Sequence, residues 1–410
     1  MPKMLLLVLF LIPVCLSGQD IRCPAVYGIS SQNHPGDYDR FQALLDYNLK
    51  QDNLRPRSIE YFPVVIHVVA RVGDVPVSEA QVLNQIDVLN ADFAGLGQNM
   101  PKLLPEFLSI AGQSDMQFCL AKTDPAGNPT SGITFTETDI ENIALQTGPE
   151  GRIAIYYDQL GGKTGWDPSR YINIWIGAYG DILGSASFPG SAPFPEETGI
   201  VIDPKYFGSI GDAGNSGFFG RGHTLTHEMG HYFGLKHIWG DGLSASCDDS
   251  DDIPDTPNSA GPYFGCPQGE QISCETSDMY QNFMDFSDDR CLAAFTGDQV
   301  TFMQTAREVY YPDLAVDGAC TPIADTFSAW FHSLSWAHDA ASGTYIIYSD
   351  EIFNATRVIR VFSADGRLAY QDEWSAGQSY RLNLKNLAAG VYFFRIEQGE
   401  QYFVRSIVIY

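Results

Sequence analysis

Residues 227–237 read HEMGHYFGLKH, and five positions in that run can together hold a divalent metal and activate water. His227 and His231 lie one helical turn apart and project from the same face. Both imidazoles can therefore reach one Zn²⁺ at about 2.0–2.1 Å. Glu228 follows the first ligand and is placed to hold a water beside the metal rather than to bind the metal itself. Gly234 can adopt a left-handed backbone conformation without steric cost, which ends the helix sharply and returns His237 as the third ligand. Three protein ligands leave one tetrahedral position open, the arrangement of a catalytic rather than a structural zinc. The chain has eight histidines, and four of them fall between His223 and His237, too dense a cluster for a surface helix that carries histidines by chance. His223 precedes the helix and reads as a local capping or surface residue. His67, in FPVVIHVVA, reads as a satisfied strand histidine. His332 and His338 have no assigned role.

The elements that must position this run begin at Tyr61. YFPVVIHVV is a buried strand, SEAQVLNQIDVLNADF has helical apolar spacing, and MQFCLAKT, YINIWIGAY and GIVIDPKYF read as further strands before a helix from about Thr224. The pattern is that of an α/β (α+β) domain with its active-site helix in the middle. Residues 247–291 are loop-like and rich in Asp, Pro, Gly and Cys. Within them CDDSDDIPDTP offers the hard oxygen ligands that Ca²⁺ prefers, at a spacing that is not an EF-hand's; the alternative is a solvated acidic loop. After Cys320 the texture changes to short alternating strands with turn signals, TYIIYS, RVIRVFSADGRLAYQ, SYRLNL and GVYFFRIEQGEQYFVRSIVIY. These predict a small all-β sandwich separate from the catalytic unit.

At 410 residues the chain should hold two or three domains. Fifty acidic against 24 basic residues give a formal charge of −26, a field that repels nucleic acid and argues against such a partner. The N-terminus, MPKMLLLVLFLIPVCLSGQD, has the layout of a secretory signal peptide, with cleavage expected near Gly18. The bulky Val14 before Cys15 argues against lipid modification. The apolar run is too short to span a bilayer, and no other segment is long and apolar enough, so the mature protein should have no transmembrane segment. An exported chain can keep disulfides. Removing Cys15 leaves seven cysteines, an odd count with at least one thiol left over. Residues 19–57 are polar and turn-rich, with little periodicity until FQALLDYNL, and end in the basic cluster Arg55-Pro56-Arg57, an accessible processing point.

The spacing HExxHxxGxxH is the long zinc signature of metzincin proteases. With VLNADF, FCLAKTDPAGNPTSGIT, HIWGDG, the acidic DTP loop and NFMDFSDD, residues from about 61 to 320 resemble the bacterial branch of the pappalysin family of metzincins. The resemblance implies that His227, His231 and His237 bind zinc, that Glu228 is the catalytic base, and that Met284 is the methionine of the Met-turn beneath the site. It places a structural calcium on Asp251, the carbonyl of Pro254 and Thr256, and loop disulfides at Cys247–Cys274 and Cys266–Cys291. We expect a third bridge between Cys119 and Cys320. The family usually has tyrosine two residues after the Met-turn methionine, where this chain has Phe286. That tyrosine donates a hydrogen bond during the reaction, and losing one such donor typically costs on the order of 10²–10³ in rate. Members can be made as zymogens in which a propeptide cysteine occupies the open zinc position, and Cys23 is the candidate switch. The alternative is an unpaired or differently paired cysteine, since proline and not glycine follows it.

LKNLAAGVYFFRIEQGEQYFVRSIVIY with VFSADGRLAYQ resembles the C-terminal sorting domain of the type IX secretion system, which implies passage through the periplasm to the cell surface or medium. The expected organisation is a signal peptide at 1–18, a propeptide at 19–57, the metzincin domain at 58–320 and the sorting domain at 321–410. The expected activity is that of a secreted, monomeric zinc endopeptidase acting on proteins or peptides. The segment Ser185–Pro189 is expected to pair with an extended substrate. Arg290, after the Met-turn, would favour an acidic residue following the scissile bond if it faces the pocket. The rival reading is a weakened surface-binding or adhesin protein on a metzincin scaffold, for which Phe286 is the argument.

Overall fold

The computed structural model describes residues 35–50, 59–240 except 75, 246–315, 334–339 and 344–409 except 354–355, 364–366, 376, 389 and 399–400. Cys23, Arg57 and Cys320, and the signal and processing readings that rest on them, lie outside the described residues.

The first unit is built on a six-stranded sheet of β1 (Glu60–Arg71), β2 (Met116–Leu120), β3 (Ile133–Thr138), β4 (Ile172–Ile176), β5 (Gly184–Ala186) and β6 (Ile200–Ile202). The order is β2-β1-β4-β6-β5, with β3 beside β1. β2 pairs with the first half of β1 and β3 with the second, both parallel, while β4 runs parallel along its other edge. β5 alone is antiparallel, pairing with β6 through Ser185 and Val201, and it forms the edge of the sheet on this path. β1 is buried on both faces from Phe62 to Val69, the mark of a strand inside a covered parallel sheet. β6 is three residues long rather than the nine of GIVIDPKYF because Pro204 follows Asp203, and proline cannot donate to a ladder. His67 is fully buried, with Nδ1 2.8 Å from Thr134 Oγ1 and Nε2 3.1 Å from Asn173 Oδ1, as a strand histidine with both ring nitrogens satisfied.

Helices cover the sheet. α2 (Glu79–Phe93) starts at Ser78, whose hydroxyl accepts from the Gln81 N–H at 3.2 Å, and buries Val82, Ile86, Leu89 and Phe93. After the four-residue α3 (Gly211–Gly214) comes the metal-site helix α4 (His223–Tyr232). α5 (Gly297–Tyr310) opens with a capping box between Thr296 and Gln299, satisfying two orphan N–H groups at once. The periodicity of FQALLDYNL lies in α1 (Pro35–Lys50), a helix that starts earlier, inside the stretch read as a propeptide. Its Phe41 and Leu45 share a core with Ala306 and Val309 of α5. Asn48 Nδ2 donates to Thr305 Oγ1 at 3.0 Å. The polar composition of residues 35–40 hid the start of this helix, whose narrow apolar face packs against α5.

The C-terminal unit has two antiparallel sheets, ordered β10-β9-β12-β13 and β11-β8-β7. Their strands are β7 (Leu334–Asp339), β8 (Thr344–Phe353), β9 (Arg357–Ser363), β10 (Leu368–Trp374), β11 (Gly377–Asn383), β12 (Gly390–Gln398) and β13 (Gln401–Ile409). Ile347 and Leu382 from one sheet share a core with Ile359, Val361, Phe394 and Ile396 from the other, which makes the pair a sandwich.

Candidate metal centre

α4 is buried along its whole length, so its capping comes from distant chain. Gly222 at its N-cap has no side chain to offer. Asp289, fully buried, serves instead: its Oδ2 accepts from the Arg221 N–H at 2.9 Å and the His223 N–H at 3.3 Å. A carboxylate there also opposes the positive end of the helix dipole. His223 is not the surface residue expected. α2 packs against α4 and brings Asp92 to it, so that His223 is 2% exposed with Nδ1 2.7 Å from Asp92 Oδ2. The same carboxylate oxygen accepts from Thr226 Oγ1 at 2.6 Å.

Beyond Tyr232 the helix is broken by Gly234 at φ +95°, the left-handed turn that only glycine adopts freely. The Leu235 N–H then returns to the Gly230 carbonyl at 2.9 Å, and the chain brings His237 beside the helix. His231 Nε2 lies 3.0 Å from His227 Nε2 and 3.2 Å from His237 Nε2. Ligands of a tetrahedral ion on arms of about 2.0–2.1 Å stand roughly 3.3 Å apart.

The surroundings decide which nitrogen carries the proton. His227 Nδ1 donates to the Phe283 carbonyl and His231 Nδ1 to the Leu235 carbonyl, each at 2.7 Å. With the proton held on Nδ1 by these acceptors, each Nε2 presents a lone pair. Lone pairs converging at such distances repel unless a cation lies between them. Burial also lowers the His231 pKa to about 4, which keeps the ring neutral. Among the described residues this is the only group of three or more His, Cys, Asp or Glu side chains whose donor atoms converge. The donor set fits zinc.

Around the ligands the walls are close. Trp239 stacks on His237 at 4.5 Å and 6°, and Phe188 approaches His231 at 5.2 Å. Glu228 is fully buried, with β5 over it: a Cβ on Gly184 would stand 3.0 Å from Glu228 Cγ. Met284 is also fully buried and lies against Gly230 of α4. Phe286 stands 4.7 Å from the His237 ring, 5.9 Å from that of His227 and 4.9 Å from that of Trp239.

The remaining expected residues are placed as follows. Cys247–Cys274 and Cys266–Cys291 are bonded, and Cys119 is disulfide-bonded, with its expected partner Cys320 outside the described residues. Asp251 is buried, its Oδ1 accepting from the Ile253 N–H at 3.1 Å, and burial pushes its carboxyl up to about 7. Thr256 Oγ1 lies 3.4 Å from Thr296 Oγ1, and Pro254 is exposed. Arg290 is half-exposed, paired with Asp288 Oδ2 at 3.0 Å and lying over the Phe218 ring at 5.6 Å.

A buried three-histidine centre with an adjoining glutamate on a mixed α/β fold is the arrangement of a metallohydrolase, and the chain's relatives make it a metalloendopeptidase. Residues 156–308 match the family described as pregnancy-associated plasma protein-A. An extracellular metalloprotease of Verticillium alfalfae is 30% identical over 258 residues, 61% of this chain and 77% of that one. One of Colletotrichum graminicola is 29% identical over 248 residues, covering 59% and 74%. Mature mirolysin of Tannerella forsythia, solved with a cleaved peptide, is 36% identical with a TM-score of 0.57, over 64% of this chain and 100% of that one. A mutant of its proform, promirolysin, is 32% identical with a TM-score of 0.60, over 72% and 96%. The chain belongs to the pappalysin family of metallopeptidases. Residues 340–410 match a secretion system C-terminal sorting domain, that of type IX secretion, and the protein is therefore secreted or displayed at the cell surface. No helix among the described residues is long and apolar enough to cross a membrane.

Proposed function

We propose that the protein is a zinc endopeptidase in which His227, His231 and His237 hold the metal and Glu228 moves the proton. The observation that carries this is the convergence of the three Nε2 atoms, with the Nδ1–H groups of His227 and His231 bound to carbonyls. Zinc held there supplies a Lewis acid for the peptide carbonyl and lowers the pKa of water towards about 7. The Glu228 carboxylate accepts a proton from the attacking water and returns it to the leaving amine nitrogen as the C–N bond breaks. β5 accepts the extended substrate as an added strand, its edge position leaving backbone groups to pair. Met284 serves as the Met-turn floor of the site.

The test is peptide-library cleavage by protein processed near Arg57, beside Glu228→Ala and a chelator. Both controls should abolish cleavage, and Glu228→Ala should keep one zinc per chain because Glu228 is not a ligand. Cleavage surviving Glu228→Ala would remove it from the mechanism. The rival adhesin reading predicts zinc content without turnover in the unaltered protein.

Four finer assignments belong to this reading. The chain divides into signal peptide, propeptide, catalytic domain and sorting domain at residues 18, 57 and 320, and N-terminal sequencing of the secreted monomer checks the first two. Cys23 silences the zymogen by taking the open zinc position; latency and processing unchanged in Cys23→Ala would refute it. Asp251, the Pro254 carbonyl and Thr256 hold calcium, supported by a buried carboxylate that a cation would neutralise. Calcium should raise the melting temperature of the unaltered protein and not of Asp251→Ala. Arg290 favours an acidic residue after the scissile bond, in competition with Asp288 for its guanidinium. A cleavage profile with basic residues at that position would sink the idea.

A further inference from the structure

Phe264 is 52% exposed, yet the chain on both sides of it is tightly held. The Tyr263 N–H donates to Asp285 Oδ1 at 3.3 Å, and the Tyr263 hydroxyl donates to Asp278 Oδ2 at 2.6 Å. The Gly265 carbonyl accepts from the Asp288 N–H at 2.8 Å, and Cys266 is bonded to Cys291. Tyr263, Gly265 and Cys266 are thus anchored to the 285–291 segment, which also carries Phe286. A large apolar ring normally turns inward when its backbone is free to let it. Here the backbone is fixed and the ring stays half in solvent.

Among the described residues the ring has one aromatic neighbour, Phe286. Its centroid lies 6.1 Å from that of Phe286, whose own ring touches His237 and Trp239. Phe264, Phe286 and Trp239 therefore form a continuous apolar wall that starts at a zinc ligand and ends at an exposed face. With tyrosine at position 286 this wall would carry a hydroxyl; Phe286 brings none.

We propose that Phe264 is a specificity-determining residue, and that the wall receives an aromatic or branched aliphatic side chain of the peptide substrate next to the scissile bond. The occupant follows from continuity with the metal centre, where the substrate backbone must lie, and from the apolar chemistry of the exposed face. A rigidly held aromatic loses little freedom on binding, so the area it buries appears as affinity. This inference rests on the endopeptidase reading above.

The test uses the secreted, processed protein and peptides of one parent sequence. Each of the two positions either side of the cleaved bond carries Phe, Leu, Ser, Glu or Arg in turn. At one position kcat/KM should favour Phe and Leu over Ser. Phe264→Ser should reduce that Phe-to-Ser ratio about tenfold, within the range of hydrophobic subsite discrimination, mainly through KM. Phe264→Leu should restore most of it. Zinc content and melting temperature of both variants separate this effect from misfolding, since position 264 is exposed. An unchanged ratio in Phe264→Ser overturns the proposal, as does a preference for Arg or Glu at every position. No cleavage of any peptide by the zinc-loaded unaltered protein would instead overturn the endopeptidase reading.

Discussion

Gly230 sits in the middle of α4, where helix propensity alone favours alanine over glycine by about 0.8–1.0 kcal/mol. The tertiary structure reverses that sign. A Cβ at position 230 would fall well inside contact distance of Met284 Sδ, and would lie 3.3 Å from Met284 Cε and 3.4 Å from Phe295 Cε1. Ordinary carbon contacts are about 3.5–4.0 Å, so the sulfur must retreat by on the order of 1 Å. Met284 and Phe295 are 0% and 1% exposed, and the space is closed. Methionine adapts better than most side chains, but the Met284 N–H is tied to Asn282 Oδ1 at 2.9 Å. The preceding carbonyl, that of Phe283, orients His227. Overpacking of this kind costs about 1–3 kcal/mol. Set against the propensity gain, Gly230→Ala should destabilise the zinc-loaded protein by up to about 2 kcal/mol and weaken zinc retention as His227 is displaced. Removing the obstruction should reverse this: in a Met284→Ala background the same substitution should be neutral or stabilising. The assay is urea unfolding of all four proteins of the cycle, with zinc content measured for each. A Gly230→Ala protein as stable as the unaltered one, or an equal cost in both backgrounds, would refute the reasoning.

Phe286→Tyr should raise kcat on a good peptide substrate, by up to on the order of 10²–10³ if a tyrosine hydroxyl is the one donor lacking; steady-state kinetics decide, and an unchanged or lower kcat shows that no donor is missing. His67 gives a pH signature away from the metal. Burial lowers its pKa from 6.5 to about 4, so between those values the unfolded chain binds the extra proton and stability rises with pH. Acidification from pH 6.5 towards 4 should therefore lose stability. His67→Gln should be less stable overall, yet its stability–pH profile across that window should be flatter by about 1 kcal/mol per pH unit. Chemical unfolding at several pH values tests both, and a parallel profile would show that His67 does not titrate as its burial dictates.

Signals of short range were legible. The buried run of β1, the apolar spacing of α2 and the alternation of β8 to β13 stand in consecutive residues, as does the glycine that turns the chain towards His237. Elements whose apolar character depends on a partner were harder to see. α1 is polar on most of its surface and takes its meaning from Phe302, Ala306 and Val309 of α5. β3 and β5 are short strands that exist because β1 and β6 offer unpaired edges. His223 read as a local capping or surface residue because Asp92, its partner, lies more than a hundred residues away.

The three-histidine cluster was legible in sequence alone, since a helix places residues four apart on one face and a left-handed glycine reverses the chain, both local consequences of backbone geometry. Only the tertiary structure decided what surrounds those histidines. The Phe283 carbonyl that sets the His227 tautomer, the Asp289 carboxylate that caps α4, Met284 against Gly230 and Phe264 beside Phe286 all come from chain distant in sequence. No local rule specifies them, because burial and lone-pair direction are properties of packing between segments.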